Sequence, residues 1–202
     1  IACSNSGGIW APRLNYAGCD AIIVEGEDPV WTYINIDDDK IELLDAREYV
    51  GDMSEALDEQ RKAKHGADVS VLNIGPAGEK KVLLAAIMND KDRAAGRSGV
   101  GAVMGSKSLK AIVVKAPRRK LDNIADLDAL KEAAKNAMDV QKANPVTGSG
   151  LRQLGTAVLV NIVNNIGAFP TKNWQESYYD KADDISGETL AEKYLVKPGA
   201  CH

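Results

Sequence analysis

Apolar residues divide the chain into a first part with short strand-like runs and a second part with helical spacing. In the first part the runs alternate loosely or are continuously apolar, and turn-forming residues bound them, which is typical of strands. Strands are therefore predicted at residues 21–24, 30–36, 40–44, 69–74, 82–87 and 111–114. The second and third of these runs flank three aspartates and predict a β-hairpin with a short loop.

One helix is predicted among these strands. Residues 52–64 are polar and rich in residues that favour a helix. Asp52 or Ser54 is expected to cap its N-terminus, and Gly66 is expected to end it.

The spacing of apolar residues changes near the basic stretch Arg118-Arg119-Lys120. After it, helices are predicted over residues 127–140, 156–166 and 186–194. We place a boundary at residues 118–123, so that a β-rich domain covers residues 1–120 and the start of a helical domain covers residues 121–202. The fold class predicted from this order of elements is α+β.

Composition narrows the class of partner. Hydrophobic residues make up 45% and charged residues 27% of the chain, which excludes a disordered protein. A net charge of −4 gives no basic excess for nucleic acid. No apolar run approaches the roughly 20 residues of a membrane helix, and no signal peptide is visible. Three cysteines cannot close a disulfide framework, so a reducing, cytoplasmic location is expected.

The glycine-rich segment 93–107 is the first candidate for ligand binding. It places Arg93 and Arg97 among several glycines. Arginine offers a planar fork that matches phosphate oxygens, and glycine lets backbone N–H groups approach the same anion. The glycine spacing fits neither G-x-G-x-x-G nor a P-loop, which excludes a nucleotide motif. The alternative interpretation is a glycine-rich turn that packs against a sheet.

Residues 4–8, Ser-Asn-Ser-Gly-Gly, are the second candidate. Small residues there would let main-chain carbonyls face a cation or a ligand ring, although the segment is also typical of a polar turn. Among the residues that can bind metals, Cys3 and Cys19 are expected to be small buried residues, and His65 is expected to be solvated. The three tryptophans are expected in the core: Trp10, Trp31 and Trp174.

Taken in chain order, several segments resemble the aldehyde ferredoxin oxidoreductase family of tungsten-pterin enzymes. They are residues 4–8, 17–26, 74–79, 86–90, 93–110, 155–157 and 169–174. Ser98 stands where the family usually has glycine, and Cys19 stands where it usually has tyrosine. The resemblance implies a cradle of two β-sheets under the cofactor, followed by helices. It also implies oxidation of a small aldehyde to a carboxylic acid, with electrons passing through a 4Fe-4S cluster to ferredoxin or a similar acceptor.

The resemblance implies cofactor roles for particular residues and no catalytic side chain within this sequence. The main-chain carbonyls of Asn5 and Ala94 would bind the magnesium that bridges two pterin phosphates. Cys201 would be the first ligand of the 4Fe-4S cluster. Four residues would line the bis-pterin cofactor, which carries tungsten or molybdenum: Gly7, Arg93, Gly96 and Arg97. Residues 4–8 and 93–97 should then converge on one concave surface, and both arginines should have few carboxylate partners.

Two other functions stay open at this point. One is a tungsten enzyme of the same superfamily that reduces an aromatic ring on a coenzyme A thioester, although residues 167–173 favour the aldehyde enzymes. The other is a cofactor-free scaffold subunit, against which Arg93 and Arg97 argue. The resemblance is compatible with a homodimer and implies no nucleic-acid or membrane partner. It further implies that the sequence starts after the family's first strands and ends inside its cluster motif, so that these 202 residues alone should be inactive.

Overall fold

The computed structural model describes residues 2–116 and 124–197. These residues form two compact units, one within residues 2–116 and one within residues 124–197. The first unit combines a sheet with helices and the second is helical, which confirms the α+β class. The stretch predicted as the boundary, residues 118–123, lies outside the described residues. No helix of the two described ranges is long and apolar enough to cross a membrane.

Six strands of the first unit form one mixed sheet in the order β2-β1-β6-β3-β4-β5. The strands are β1 (Thr32–Asp37), β2 (Lys40–Asp45), β3 (Ser70–Asn73), β4 (Ile87–Asn89), β5 (Arg93–Ala95) and β6 (Leu109–Lys115). β1 and β6 run parallel, and the other neighbours are antiparallel. Of the two sheets that the resemblance implied, the described residues therefore show one, with β2 and β5 at its edges.

The predicted hairpin is confirmed. β1 and β2 pair antiparallel from Thr32 opposite Asp45 to Asp37 opposite Lys40. Asp38 adopts a positive φ of 53° in the connecting turn, a conformation that aspartate tolerates better than most residues.

Two predicted strands are wrong. Residues 21–24 belong to no strand, and Ile22 and Val24 instead pack their side chains against one core. Residues 82–86 also lie outside any strand, and Leu83 and Leu84 are exposed, so that β4 begins only at Ile87. A short, continuously apolar run has no period that distinguishes a strand from an extended or turning segment, so tertiary packing decided both cases.

The helices of the first unit are short apart from one. They are α1 (Trp10–Tyr16), α2 (Ser54–His65), α3 (Pro76–Glu79) and α4 (Val100–Gly105), with a 3-10 turn at Arg47–Tyr49. The predicted helix over residues 52–64 corresponds to α2, and Gly66 follows its last residue as expected. The predicted cap is wrong, because Met53 occupies the N-cap position and no side chain makes a capping hydrogen bond there.

The second unit contains four further helices. They are α5 (Leu127–Ala143), α6 (Leu151–Leu154), α7 (Leu159–Asn165) and α8 (Gly187–Lys193), with a π turn at Val146–Gly150 and 3-10 turns at Gly155–Val158 and Ala182–Ile185. The predicted helices at 127–140 and 186–194 are confirmed, with Asp126 and Ser186 as their caps. The helix predicted over residues 156–166 divides into a 3-10 turn and α7.

A hydrophobic core lies on each face of the sheet. Alternate side chains of β1 and β6 point to opposite faces, and because a core covers each face both strands are almost continuously buried. One core contains Leu14, Ile34, Ile36, Ile74, Met104, Leu109, Ile112 and Val114. The other contains Tyr33, Ala46, Tyr49, Leu57, Val69, Val71, Ala111 and Val113. Trp10 and Trp31 pack against these cores as predicted, whereas Trp174 is 72% exposed, contrary to the prediction.

His65 at the end of α2 is not simply solvated as predicted. Its Nε2 lies 3.1 Å from the hydroxyl oxygen of Tyr33. The buried guanidinium of Arg61 stacks 3.6 Å from the centre of the Tyr49 ring nearby. Burial, and then the positive charges of Arg61 and Lys64, lower the pKa of His65.

This lowered pKa predicts a loss of stability in mild acid. Because folded His65 binds a proton less readily than unfolded histidine, whose pKa is about 6.5, the unfolded chain takes up more protons as the pH falls. The stabilisation is fully present above about pH 6.5 and is lost as the pH falls through the folded-state pKa. We expect urea denaturation of the full-length protein between pH 7.5 and about pH 5 to show a steeper decline for the natural sequence than for His65→Gln. Parallel curves would contradict the prediction.

Candidate functional site

The N-terminal loop, residues 4–8, lies against the segment that begins with edge strand β5. The backbone N–H of Arg97 donates a hydrogen bond of 3.0 Å to Ser4 Oγ. One residue further, the Ser98 hydroxyl donates a bond of 3.1 Å to the carbonyl of Cys3. Residues 4–8 therefore meet residues 93–97 as predicted, although the chain separates them widely, and the concavity of their shared surface stays a prediction.

The side chain of Arg93 runs beneath two glycines of this loop. A Cβ atom at Gly7 would lie 3.7 Å from Arg93 Cδ, and one at Gly8 would lie 3.4 Å from Arg93 Cγ. Gly8 also has a φ of +99°, which favours glycine. Both distances are ordinary van der Waals contacts, so the aliphatic stem of Arg93 packs along the loop, and it is the φ of Gly8 that favours glycine there.

Asn89, the last residue of β4, ties the loop to the sheet. It is 4% exposed, and its Nδ2 donates to the carbonyl of Gly7 and more weakly, at 3.4 Å, to Ser6 Oγ. Its Oδ1 is buried without a hydrogen-bond partner among the described residues. Sequence reasoning did not select Asn89, although a polar residue that ends an apolar run was a usable indication.

The two arginines differ in their electrostatic surroundings. Arg93 Nη1 lies 3.6 Å from a carboxylate oxygen of Asp92, and the Arg93 side chain is 26% exposed. Its sequence neighbour therefore supplies Arg93 with a carboxylate partner, and the expectation that such partners are few stays a prediction. Arg97 is exposed and takes part in no ion pair among residues 2–116 and 124–197, so its guanidinium is accessible to an external anion.

The remaining predicted site residues lie in the same region, with one exception. Asn5 is exposed in the loop, Ala94 is exposed on β5, and a Cβ atom at Gly96 would have nothing within 4 Å. The exception is Cys201, which lies outside the described residues. Across the described parts of the chain, no group of three or more His, Cys, Asp or Glu side chains is arranged to hold a metal ion.

The two cysteines near the loop do not behave alike. Cys3 is exposed, contrary to the prediction, because its backbone is held at the loop surface by the Ser98 hydroxyl. Cys19 is half-buried and packs against the core that contains Leu14.

Later glycines of the 93–107 segment serve packing. A Cβ atom at Gly101 would lie 2.4 Å from the Ala86 carbonyl oxygen, and one at Gly105 would lie 1.9 Å from the Gly78 carbonyl oxygen. Both glycines are on α4, where they allow the neighbouring backbone to come into contact. The packing interpretation therefore holds at Gly101 and Gly105, whereas Gly96 faces open space and its role in ligand binding stays a prediction.

Comparisons with known proteins agree along the whole chain. Residues 1–116 match the aldehyde ferredoxin oxidoreductase N-terminal domain, and residues 132–202 match domains 2 and 3 of the same family. The tungsten-containing aldehyde ferredoxin oxidoreductases of Pyrococcus abyssi and Pyrococcus horikoshii are 45% and 46% identical over 100% of this chain. The chain spans about a third of the length of these relatives, 33% in each case.

A solved structure shares the fold. It is the active site complex BamBC of benzoyl coenzyme A reductase, with a TM-score of 0.76 and 28% sequence identity over 98% of this chain and 32% of that one. The sheet, with the loop that meets its edge strand, therefore has the fold of a segment of a known oxidoreductase. More particularly, the chain belongs to the aldehyde ferredoxin oxidoreductase family, which confirms the resemblance seen in the sequence.

Proposed function

We propose that the full-length protein is a tungsten-pterin oxidoreductase that oxidises small aldehydes to carboxylic acids. The observation that carries the proposal is the meeting of residues 4–8 with Arg93 and Arg97 beside an edge strand. Two cations beside accessible backbone are the groups that a phosphorylated, anionic cofactor requires. The names of the relatives, tungsten-containing aldehyde ferredoxin oxidoreductases, support this choice of cofactor and substrate.

The residues present fit such a cofactor. β5 is an edge strand, so the sheet leaves part of its backbone without a strand partner, and Gly96 leaves open space beside it. In the proposal, the main-chain carbonyls of Asn5 and Ala94 bind magnesium. Gly7 and Gly96 permit close approach of the backbone, and the guanidinium groups of Arg93 and Arg97 bind the anionic groups of the pterin.

When bound, the tungsten-pterin group supplies the redox chemistry by which an aldehyde and water become a carboxylic acid, two protons and two electrons. The residues of this segment bind and orient the group. Arg97 offers an exposed cation to it, while the stem of Arg93 is held beneath Gly7 and Gly8. Since the stem of Arg93 is held by contacts that the protein already makes, this side chain needs little ordering on binding.

Electrons would leave through a 4Fe-4S cluster and reach ferredoxin or a similar acceptor. Such a cluster needs four ligands, of which Cys201 would be one. Cys19 packs in the core region and Cys3 lies in the N-terminal loop, so we propose that the other ligands come from outside these 202 residues. The proposal includes a cytoplasmic location and is compatible with a homodimer.

Metal analysis and turnover of the full-length protein test this function. Cells are grown with tungstate and molybdate supplied together, and the purified protein is assayed for tungsten, molybdenum and iron and for aldehyde-dependent reduction of a viologen dye. Tungsten or molybdenum with iron and aldehyde activity supports the proposal. Reduction of an aromatic coenzyme A thioester instead of aldehyde oxidation would favour the ring reductases, and metal-free protein would favour a scaffold; either result overturns it.

Removing either site arginine is expected to lower cofactor occupancy. A charge-assisted hydrogen bond contributes about 1.5–3 kcal/mol, which corresponds to roughly 10- to 100-fold in affinity. We therefore expect Arg93→Ala and Arg97→Ala to reduce tungsten and pterin per protein at least severalfold, measured by elemental analysis and by fluorescence of the oxidised pterin. Arg47→Ala is the matched control, since Arg47 is an exposed, ion-paired arginine beside the opposite edge strand β2. An equal loss in Arg47→Ala would contradict the assignment.

A further inference from the structure

Asn89, which contacts the N-terminal loop, is itself held firmly within the sheet. Asp90 follows Asn89 directly, and its carboxylate accepts bonds of 2.8 Å from the Ser70 hydroxyl and 3.0 Å from the Val71 backbone N–H. Asn89 also pairs with Leu72 on β3 and with Arg93 on β5. The backbone of Asn89 is thus fixed by the sheet on both sides and by its neighbour's carboxylate.

The loop above it needs such support. Ser, Asn and Gly residues have many accessible backbone conformations, so ordering residues 4–8 costs conformational entropy. Hydrogen bonds from three residues oppose that cost: from Asn89 to the Gly7 carbonyl and Ser6 Oγ, from the Arg97 N–H to Ser4 Oγ, and from the Ser98 hydroxyl to the Cys3 carbonyl. Of these three residues Asn89 is the buried one, whereas the bonds from Arg97 and Ser98 are exposed.

We infer that Asn89 is a positioning residue that orders residues 4–8 for cofactor binding, an inference that rests on the proposed function. Its Nδ2 holds the Gly7 carbonyl, and so it fixes the direction in which the backbone of Asn5 to Gly7 faces. A Cβ atom at Gly8 would lie 3.0 Å from Asn89 Nδ2, so the loop also packs against the Asn89 side chain. Asn89 contacts the loop, and in this inference it acts on the cofactor through the loop backbone.

Asn73 offers a matched control on the neighbouring strand. It is also a buried asparagine whose Nδ2 donates to a backbone carbonyl, that of Ser54 at 3.4 Å, and whose Oδ1 has no partner among the described residues. Asn73 is next to Leu72, which pairs with Asn89, so strand alternation places Asn73 and Asn89 on opposite faces of the sheet. Asn73 contacts the start of α2 and not the N-terminal loop.

The experiment compares Asn89→Asp, Asn89→Leu and Asn73→Leu in the full-length protein. The first variant keeps the side-chain size but replaces the donor with an acceptor that faces the Gly7 carbonyl. In unloaded protein, exchange of the Arg97 amide hydrogen, which bonds to Ser4 Oγ of the loop, is expected to rise roughly tenfold in both Asn89 variants because the loop is less firmly held, and to stay unchanged in Asn73→Leu. In protein purified with its cofactor, tungsten and pterin per chain should fall at least about fivefold in the Asn89 variants alone.

The outcomes separate this inference from the proposed function. If Arg93→Ala and Arg97→Ala lower occupancy while both Asn89 variants keep it, the role of Asn89 is wrong and the function stands. If the arginine variants keep full occupancy, the proposed function fails, whereas faster exchange in the Asn89 variants still shows control of the loop. Should Asn89→Leu not fold, Asn89→Asp alone carries the test, and unchanged amide exchange with unchanged cofactor occupancy in this variant overturns the inference.

Discussion

Replacement of Lys110 by methionine is expected to destabilise the β-sheet unit by about 3–5 kcal/mol, because it leaves an uncompensated buried charge. Lys110 lies on β6 and is fully buried. Its ammonium group pairs with Glu79 on α3 and donates to the carbonyls of Ile74, at 2.7 Å, and Asp52, at 3.1 Å. Methionine fills similar space, so the expected loss arises from the polar contacts and not from a cavity.

Glu79 explains the size of this effect. Its side chain is 8% exposed, and each carboxylate oxygen accepts a 3.0 Å bond from the Gly51 backbone N–H. Without Lys110 the carboxylate stays buried with one backbone donor. A Lys110→Met/Glu79→Leu double variant should therefore be more stable than Lys110→Met alone.

Urea denaturation of the full-length protein measures these differences. Lys40→Met is the control, since Lys40 forms an exposed ion pair with Glu42 on β2, and exposed pairs contribute little to stability. Equal free energies of unfolding for Lys110→Met and Lys40→Met would show that the buried pair does not hold β6 to α3.

Gly105→Ala is expected to cost about 3 kcal/mol or more, the upper part of the range for overpacking. A Cβ atom there would lie 1.9 Å from the Gly78 carbonyl oxygen and 2.7 Å from its carbonyl carbon. Both are backbone atoms, which cannot turn aside as the end of a side chain can. The contact between α3 and α4 would have to open, and the segment between β5 and α4 would lose its support.

Gly96→Ala is the matched variant from the same glycine-rich segment. A Cβ atom at Gly96 has no neighbour within 4 Å, so we expect the free energy of unfolding to change by less than about 1 kcal/mol. Under the proposed function, tungsten and pterin content should nevertheless fall in Gly96→Ala, because the added methyl group occupies the open space of the site. Thermal denaturation and elemental analysis of the two variants together test whether fold and site use different glycines.

Much of the fold follows from local sequence patterns. The hairpin of β1 and β2, the helix α2 and the helices α5 and α8 were predictable, because their periodicity and turn residues act over a few neighbours. The conformation of residues 82–86 was not predictable, since a continuously apolar run fits several conformations and the exposure of Leu83 and Leu84 depends on distant packing.

For the candidate site, too, some features follow from the sequence and others only from the tertiary structure. The sequence alone determined which residues are the candidates for its chemistry: two arginines among glycines, and a loop of small residues whose order along the chain matches one family. Only the tertiary structure decided that Asn89 holds the loop, that Arg93 has Asp92 as a partner, and that Gly101 and Gly105 serve packing whereas Gly96 is open. Residue type and spacing specify chemical groups and local conformation, but contacts between remote segments depend on how the whole sheet brings its edge strand and the N-terminal loop together.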